Sequence, residues 1–316
     1  MKAALIENYG DIGQLSYTNT KTPAIAANQV LIKVHAAGVN PVDCYIRGGM
    51  FEETGTHSLP LTLGWDTAGT VEQVGEAVTK HKVGDQVFAL APFHRNGSYA
   101  EYLAIEADIV VNKPKNLSFA QSAAVPLAAL TAWQGLFTEG KLQAGQRVLI
   151  HNTSGGVGSF AVQLAKAAGA HVIGTASEKN REFVESLGVD QFVDYRNSKF
   201  EDEVESVDLV FAAAVGAVGG DDIVTRSLQV IKSGGHLISL FDEIDEALAL
   251  ERGITYHKLM VQPNAADLTQ IKELLEQGKV KVHLDSLFPL ADAQLAHQRS
   301  ESKRTVGKIV LQVIAD

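Results

Sequence analysis

The stretch from Gln146 to Ser177 constrains this chain most: it reads as strand, glycine-rich turn, helix and second strand within the length of one βαβ unit. The run Val148, Leu149, Ile150 suits a strand buried on both faces, and it stops at polar Asn152-Thr153-Ser154. Gly155, Gly156 and Gly158 follow at once. They remove Cβ atoms where a backbone bends tightly and a pyrophosphate approaches. A helix opening near Val157 aims free N–H groups and its positive dipole end at that phosphate. Phe160, Val162, Leu164, Ala165 and Ala168 pack the helix on a sheet, Gly169 stops it, and His171 to Gly174 begins the second strand. Ser154, Gly155, Gly156, Val157 and Gly158 are therefore the expected nucleotide-binding turn. The dinucleotide fingerprint G-x-G-x-x-G is not fully met, since the frame ending at Gly158 reads Thr153, Gly155, Gly158. Its placement between a buried strand and a helix supports it over an ordinary glycine turn.

A chain of 316 residues exceeds one common domain and suggests two, and 46% hydrophobic residues are ample for their cores. A formal charge of −10 argues against a nucleic-acid or anionic-membrane surface, because neither polyanion attracts a net acidic protein. The single Cys44 excludes an internal disulfide and a four-cysteine zinc lobe, and it suits a reducing compartment. The N-terminus lacks a signal-peptide apolar region, and the longest nearly apolar run, Ala123 to Trp133, is too short to span a bilayer. The expected location is cytoplasmic.

Residues 1 to about 115 show short strand-like runs between turn signals, the pattern of a β-rich barrel: Lys2 to Glu7, Val30 to Val34, Thr70 to Val74, Gln86 to Ala89 and Tyr99 to Ile105. From Ser118 the texture changes to helix alternating with strand. Ser118 and Gln121 have capping-box spacing, and a second helix is expected over Ala129 to Glu139. After the glycine turn the alternation continues through helix Asn180 to Leu187, strands Gln191 to Val193 and Asp208 to Ala213, helix Asp221 to Ile231 and strand Gly235 to Leu240. That is a doubly wound parallel sheet. Strand Ile254 to Val261, amphipathic helix Ala266 to Gln277 and strand Lys308 to Val313 end the chain. The expected fold is α/β, with a β-rich barrel domain over 1–117 and 263–316 and a nucleotide-binding domain over 118–262.

An NAD enzyme usually offers a carboxylate to the ribose about twenty residues past the glycines. Here that position falls on Ala176, followed by Ser177, Glu178 and Lys179, so a 2′-phosphate meets a hydroxyl and an ammonium. NADPH is the expected cofactor. Glu178 would oppose it if turned inward, and would not as a solvated residue at a helix start.

Six blocks in order carry a resemblance across nearly the whole chain: Gly38-Val-Asn-Pro-Val-Asp43 with Tyr45-Ile-Arg-Gly48, Leu63 to Val71, Gly97 to Tyr102, Val125 to Gln134, Ser154 to Gly158, and Gly307 to Leu311. The chain resembles the zinc-independent quinone oxidoreductases (zeta-crystallin-like) of the medium-chain dehydrogenase/reductase superfamily. The resemblance implies a GroES-like barrel, a Rossmann domain, and NADPH-dependent transfer of hydride to a quinone or an activated alkene. Relatives with zinc place a Cys and a His in the blocks matched here by Asn40 and Trp65, neither of which is a zinc ligand, so no metal is expected. In the resemblance Asn40 and Tyr45 face nicotinamide and substrate as hydrogen-bond donors, Thr131 touches the nicotinamide end, and Tyr195 lies at the adenosine phosphate. The alternatives are turn capping for Asn40, barrel packing for Tyr45 and a backbone-bonded helix threonine for Thr131. A non-catalytic, crystallin-like NADPH-binding role and a free-standing enoyl reductase stand as other functions. Related members pair the edge of the Rossmann sheet in a homodimer, and the runs Gly235 to Asp242 and Gly253 to Val261 are the expected edge, with Ile238, Leu240, Phe241, Leu259 and Met260 as its apolar surface. The alternative is that the helix Ala266 to Gln277 caps that edge within a monomer.

Overall fold

The computed structural model describes residues 1–213 and 222–314. Two compact units share the chain, one made of Met1–Leu127, Gln262–Gln277 and Val282–Asp316, the other of Ala128–Val261 and Gly278–Lys281.

The first unit opens with β1 (Lys2–Ile6), β2 (Leu15–Asn19), β3 (Gln29–Val39), helix α1 (Pro41–Arg47), β4 (Leu61–Thr62), β5 (Asp66–Val74), β6 (Gln86–Leu90), β7 (Tyr102–Glu106) and β8 (Val111–Asn112). Alternating burial along β7 and the near-continuous burial of β3 mark strands that close a core. Helix α2 (Phe119–Ala123) starts on the Ser118–Gln121 capping box, with Gln121 N donating to Ser118 Oγ at 3.1 Å. It packs on β3 and β5. The switch from strand to helix at Ser118 thus precedes the division between the units, which falls after Leu127.

The second unit is a parallel sheet. Helix α3 (Pro126–Trp133) runs on as a π-helix, Gln134–Glu139, and β9 (Arg147–His151), α4 (Gly156–Ala167), β10 (His171–Ala176), α5 (Arg181–Ser186), β11 (Gln191–Asp194), α6 (Phe200–Glu203), β12 (Val207–Ala212), α7 (Ile223–Ser227), β13 (Ile231–Ser239), α8 (Glu246–Glu251) and β14 (Thr255–Lys258) follow. The order β11-β10-β9-β12-β13-β14 is that of a doubly wound sheet. Its centre is dry: Val148, Leu149, Ile150, Val210 and Leu237 are fully buried.

Two expectations change here. The helix expected over Asp221 to Ile231 covers only Ile223–Ser227, because Ile231 already begins β13; Asp221 lies outside the described residues. Ile238, expected on an exposed edge, is fully buried because β13 lies between β12 and β14, and Leu240, just past the end of β13, is 8% exposed.

The chain returns to the first unit through α9 (Ala265–Glu276), β15 (Leu284–Pro289), α10 (Ala293–Glu301) and β16 (Lys308–Gln312). Helix α9 packs against β8, where Asn116 Nδ2 donates to Leu275 O at 2.9 Å. Strand β16 completes a seven-stranded sheet ordered β15-β16-β3-β5-β6-β8, with β7 paired to β3.

Candidate active site

Helix α1 interrupts the barrel between two of its strand-like runs. The signals for it were present: Asn40 is the N-cap, Pro41 sits at the first helical position, Asp43 accepts the Asn40 N–H at 2.9 Å, and Gly48 follows the last residue. The helix buries Asp43, Cys44, Ile46 and Arg47 and leaves Tyr45 half-buried.

Asn40 is 2% exposed, and its carboxamide is held from both ends. Nδ2 donates to Asp66 Oδ2 at 2.8 Å, and Oδ1 accepts from the Lys308 ammonium. Lys308 also donates to Val39 O at 3.3 Å and Asp66 Oδ2 at 3.4 Å, while Asp66 Oδ1 accepts the Leu127 N–H at 2.6 Å. Strand register assembles this group, since Gly38 of β3 faces both Asp66 of β5 and Val310 of β16. Gly38 has to be glycine: a Cβ there would lie 2.7 Å from Asp66 Oδ2 and 2.5 Å from Ala123 O. Burial raises the Asp66 pKa, against the pull of Lys308 and of the hydrogen bonds it accepts.

Asp43 lies in the same layer. Its Oδ2 accepts from Asn40 N at 2.9 Å and Tyr99 Oη at 2.7 Å, while Oδ1, fully buried, has no partner. Burial pushes this carboxyl up to about 7, against the two hydrogen bonds, and Oδ1 is the natural seat of the proton. A carboxyl whose folded pKa exceeds its unfolded value of about 4 stabilises the folded state fully below that pH, and the gain disappears as pH rises through about 7. The Asp43 contribution should therefore fall from about pH 4 to about pH 7, so the stability of the wild type relative to Asp43→Asn should decline across that range, whatever His151 and His297, both held at about 3 by burial, add to the two proteins alike. Urea unfolding across this range tests it; parallel curves for the two proteins would contradict it.

The glycine-rich turn sits at the carboxyl end of β9. Asn152 adopts the left-handed conformation (φ 57), which asparagine tolerates better than most residues, so the tight bend falls one residue before the missing glycine. Thr153, in that glycine's place, ties the turn to β10: its N–H and its Oγ1 both donate to Thr175 O at 3.0 Å. Gly155 is the extended N-cap of α4. Gly158 is required by packing, because a Cβ there would stand 2.2 Å from Asn152 O. The first N–H groups of α4, from Gly156, Val157 and Gly158, have no acceptor within the helix.

Strand β10 ends at Ala176, and Ser177 follows it; both are buried, at 1% and 5% exposure. Glu178 is turned to solvent, with its two carboxylate oxygens each 2.8 Å from Arg181 Nε and Nη2. Arg181 in turn lies over the Phe192 ring at 4.1 Å. The carboxylate that would repel a 2′-phosphate is thus engaged elsewhere, while Lys179 is exposed. Tyr195 joins this end through its N–H to Ala176 O at 3.3 Å, and Asn180 Nδ2 donates to Ser154 Oγ at 3.0 Å. Arg196, which the sequence reading passed over, places its guanidinium 5.8 Å from the Tyr195 ring. Ser154, the three glycines, Val157, Ala176, Ser177, Lys179 and Tyr195 therefore share the carboxyl ends of adjacent strands β9, β10 and β11. Thr131 lies apart on α3, 4% exposed. Asn40 and Tyr45 share α1 of the first unit.

Two family models match the chain, the alcohol dehydrogenase GroES-like domain over residues 26–115 and the zinc-binding dehydrogenase domain over residues 187–311. The NADPH-dependent alkenal/one oxidoreductase, chloroplastic, of Arabidopsis thaliana is 37% identical over 99% of this chain and 80% of its own length. The chain belongs to the zeta-crystallin-like quinone oxidoreductases of the medium-chain dehydrogenase/reductase superfamily. In three dimensions it is similar to the quinone oxidoreductase of Coxiella burnetii, with a TM-score of 0.90, 33% identity and 99% of both chains covered. The Escherichia coli quinone oxidoreductase complexed with NADPH gives a TM-score of 0.87 at 27% identity, over 99% of this chain and 100% of that one.

The zinc in the name of one matching model does not suit the residues that stand here. Trp65 is fully buried, its indole N–H donates to Arg95 O at 3.2 Å, and Asn40 Oδ1 already faces an ammonium. An ammonium beside a carboxamide repels a dication, and neither Trp65 nor the Asn40 amide is a thiolate or imidazole donor.

Proposed function

We propose that this member of the family is an NADPH-dependent reductase that delivers hydride to a quinone or an α,β-unsaturated carbonyl without a metal. The observation that carries this reading is the end of β10, where Ala176 and Ser177 stand in place of a ribose-binding carboxylate and Arg181 holds Glu178 aside. The missing Cβ of Gly158 and the open start of α4 suit a pyrophosphate held by Ser154, Gly155, Gly156, Val157 and Gly158. Ser177, Lys179 and Tyr195, with Arg196 beside it, would hold the 2′-phosphate, and Thr131 the nicotinamide end. Bound NADPH supplies the hydride. The protein's own task is to orient the acceptor and to donate hydrogen bonds to the oxygen that gains charge, through Asn40 and Tyr45. The alkenal/one reductase named among the relatives supports an enal or enone as acceptor.

A panel of quinones, enals and enones, scored by NADPH consumption, tests the reading. At least one class should turn over, and Tyr45→Phe should lower kcat while leaving NADPH affinity in place. Tight NADPH binding with no turnover across the panel would favour a non-catalytic role instead. Lys179→Glu should weaken NADPH about tenfold or more and leave NADH nearly unchanged, since a charge-assisted phosphate contact becomes a repulsion. Equal weakening of both in a calorimetric titration would place Lys179 away from the phosphate.

The same reading includes a homodimer through β14, which pairs only with β13 among the described residues. Met260 is 52% exposed, and Leu250, at the end of α8, is 79% exposed. An open strand edge beside apolar side chains favours pairing with a second copy. The Leu259 N–H is used inward, donating to Ser239 O at 2.8 Å, so a lysine at Met260 is the cleaner probe. Light scattering should give twice the chain mass of 33.8 kDa, falling to one chain in that variant; a single-chain mass for the wild type would reject the dimer. We place the protein in the cytoplasm, a reading supported by its one cysteine, Cys44, which is free and buried.

A further inference from the structure

Lys308 is the first residue of β16, and the pairing of Ile309 with Val39 sets it opposite Asn40. Its side chain is 4% exposed, and its ammonium meets three acceptors, Asn40 Oδ1, Val39 O and Asp66 Oδ2. Lysine offers only donors, and an ionised aspartate only acceptors. A carboxamide held between them has one stable orientation, with its oxygen to Lys308 and its nitrogen to Asp66. Rotating it by half a turn would set NH₂ against an ammonium and C=O against a carboxylate. One Nδ2 hydrogen is used by Asp66, which leaves the second for another acceptor.

We propose that Lys308 is a positioning residue of the reduction: together with Asp66 it fixes the Asn40 carboxamide as a donor and polarises its carbonyl, so that the second Nδ2 hydrogen meets the substrate oxygen. This rests on the reading of Asn40 as the oxyanion donor. An ammonium on Oδ1 draws electron density out of the amide and strengthens its N–H groups as donors. A salt bridge with Asp66 alone would need no contact with Asn40, yet the ammonium donates to Asn40 Oδ1 as well as to Asp66 Oδ2.

Lys308→Met should lower kcat about ten- to a hundredfold, the scale of a misplaced reacting group. NADPH affinity, set in the other unit, should stay within about twofold. Added to Asn40→Ala, Lys308→Met should cost little more, because both remove the same donor. Multiplying losses in that cycle would make Lys308 a structural residue only, and wild-type turnover in folded Lys308→Met would overturn the proposal. Should Lys308→Met fail to fold, Lys308→Met/Asp66→Asn removes both charges at similar shape; it should fold and still lose kcat, since nothing then sets the amide's orientation, and wild-type turnover there would also overturn the proposal. Wild-type turnover in the same assay separates the two claims. If the wild type reduces no acceptor, the functional reading fails, and selective ¹⁵N-asparagine labelling decides the positioning claim by itself. The Asn40 side-chain amide should exchange with solvent at least about tenfold faster in Lys308→Met than in the wild type; equal rates would refute it.

Discussion

Gly158→Ala should remove measurable NADPH binding while the protein still folds. The new Cβ would stand 2.2 Å from Asn152 O and 2.8 Å from both Asn152 C and Thr153 Cα, all backbone atoms, so the turn itself must move. Alanine is the better helix former by about 1 kcal/mol, but forcing a methyl into a packed site costs about 1–3 kcal/mol, so a net loss of stability is expected. The larger effect falls on binding, because the displaced turn carries the N–H groups proposed to hold the pyrophosphate; a hundredfold loss corresponds to about 2.7 kcal/mol. Gly155→Ala should destabilise less, since its Cβ would meet only the end of the Asn152 side chain, 2.8 Å from Nδ2. Calorimetric titration with NADPH and thermal unfolding read both effects. An unchanged affinity in Gly158→Ala would move the nucleotide away from this turn.

Asp66→Ala should lower the stability of the first unit by about 3–5 kcal/mol, the cost of breaking a buried pair by removing one partner. The change leaves the Lys308 ammonium, 4% exposed, without its counter-ion, and takes the acceptor from Asn40 Nδ2 and from the Leu127 N–H. Against the usual 5–15 kcal/mol of a folded domain that loss is large. Lys258→Ala is the contrast. It breaks only an exposed ion pair with Glu243, which water and salt screen, so little stability should be lost. Because the chain has two units, unfolding should be followed in each. Trp65 reports the first and Trp133 the second, so urea titrations of single-tryptophan variants separate them. A loss below about 1 kcal/mol would mean that Lys308 finds water or another anion when Asp66 is gone.

What the sequence discloses and what it hides divides by distance along the chain. The βαβ unit is local: the apolar run of β9, the glycines and the amphipathic α4 lie within one short stretch, and each follows from residue types and period alone. The end of β10 at Ala176 was legible for the same reason. Helix α1 does not follow from the turn signals that separate the strand-like runs of residues 1 to about 115, although Asn40, Pro41 and Asp43 form an ordinary helix start. Lys308 carried no sign of its role, because its partner Asn40 lies 268 residues away and only the register of β16 on β3 joins them. Ile238 was misjudged since an apolar run gives no sign of how many sheet faces are covered. Neither the hold of Arg181 on Glu178 nor the approach of Arg196 to Tyr195 follows from residue type, because both depend on side-chain direction.

The most direct test of a metal-free NADPH reductase is the rate of NADPH consumption by chelator-treated protein with an enal, an enone and a quinone, each run in parallel with NADH. The expected result is turnover of at least one acceptor, faster with NADPH than with NADH at low cofactor concentration and unchanged by chelation or by added zinc. A rate that vanishes on chelation and returns with zinc, or a preference for NADH, would contradict the account.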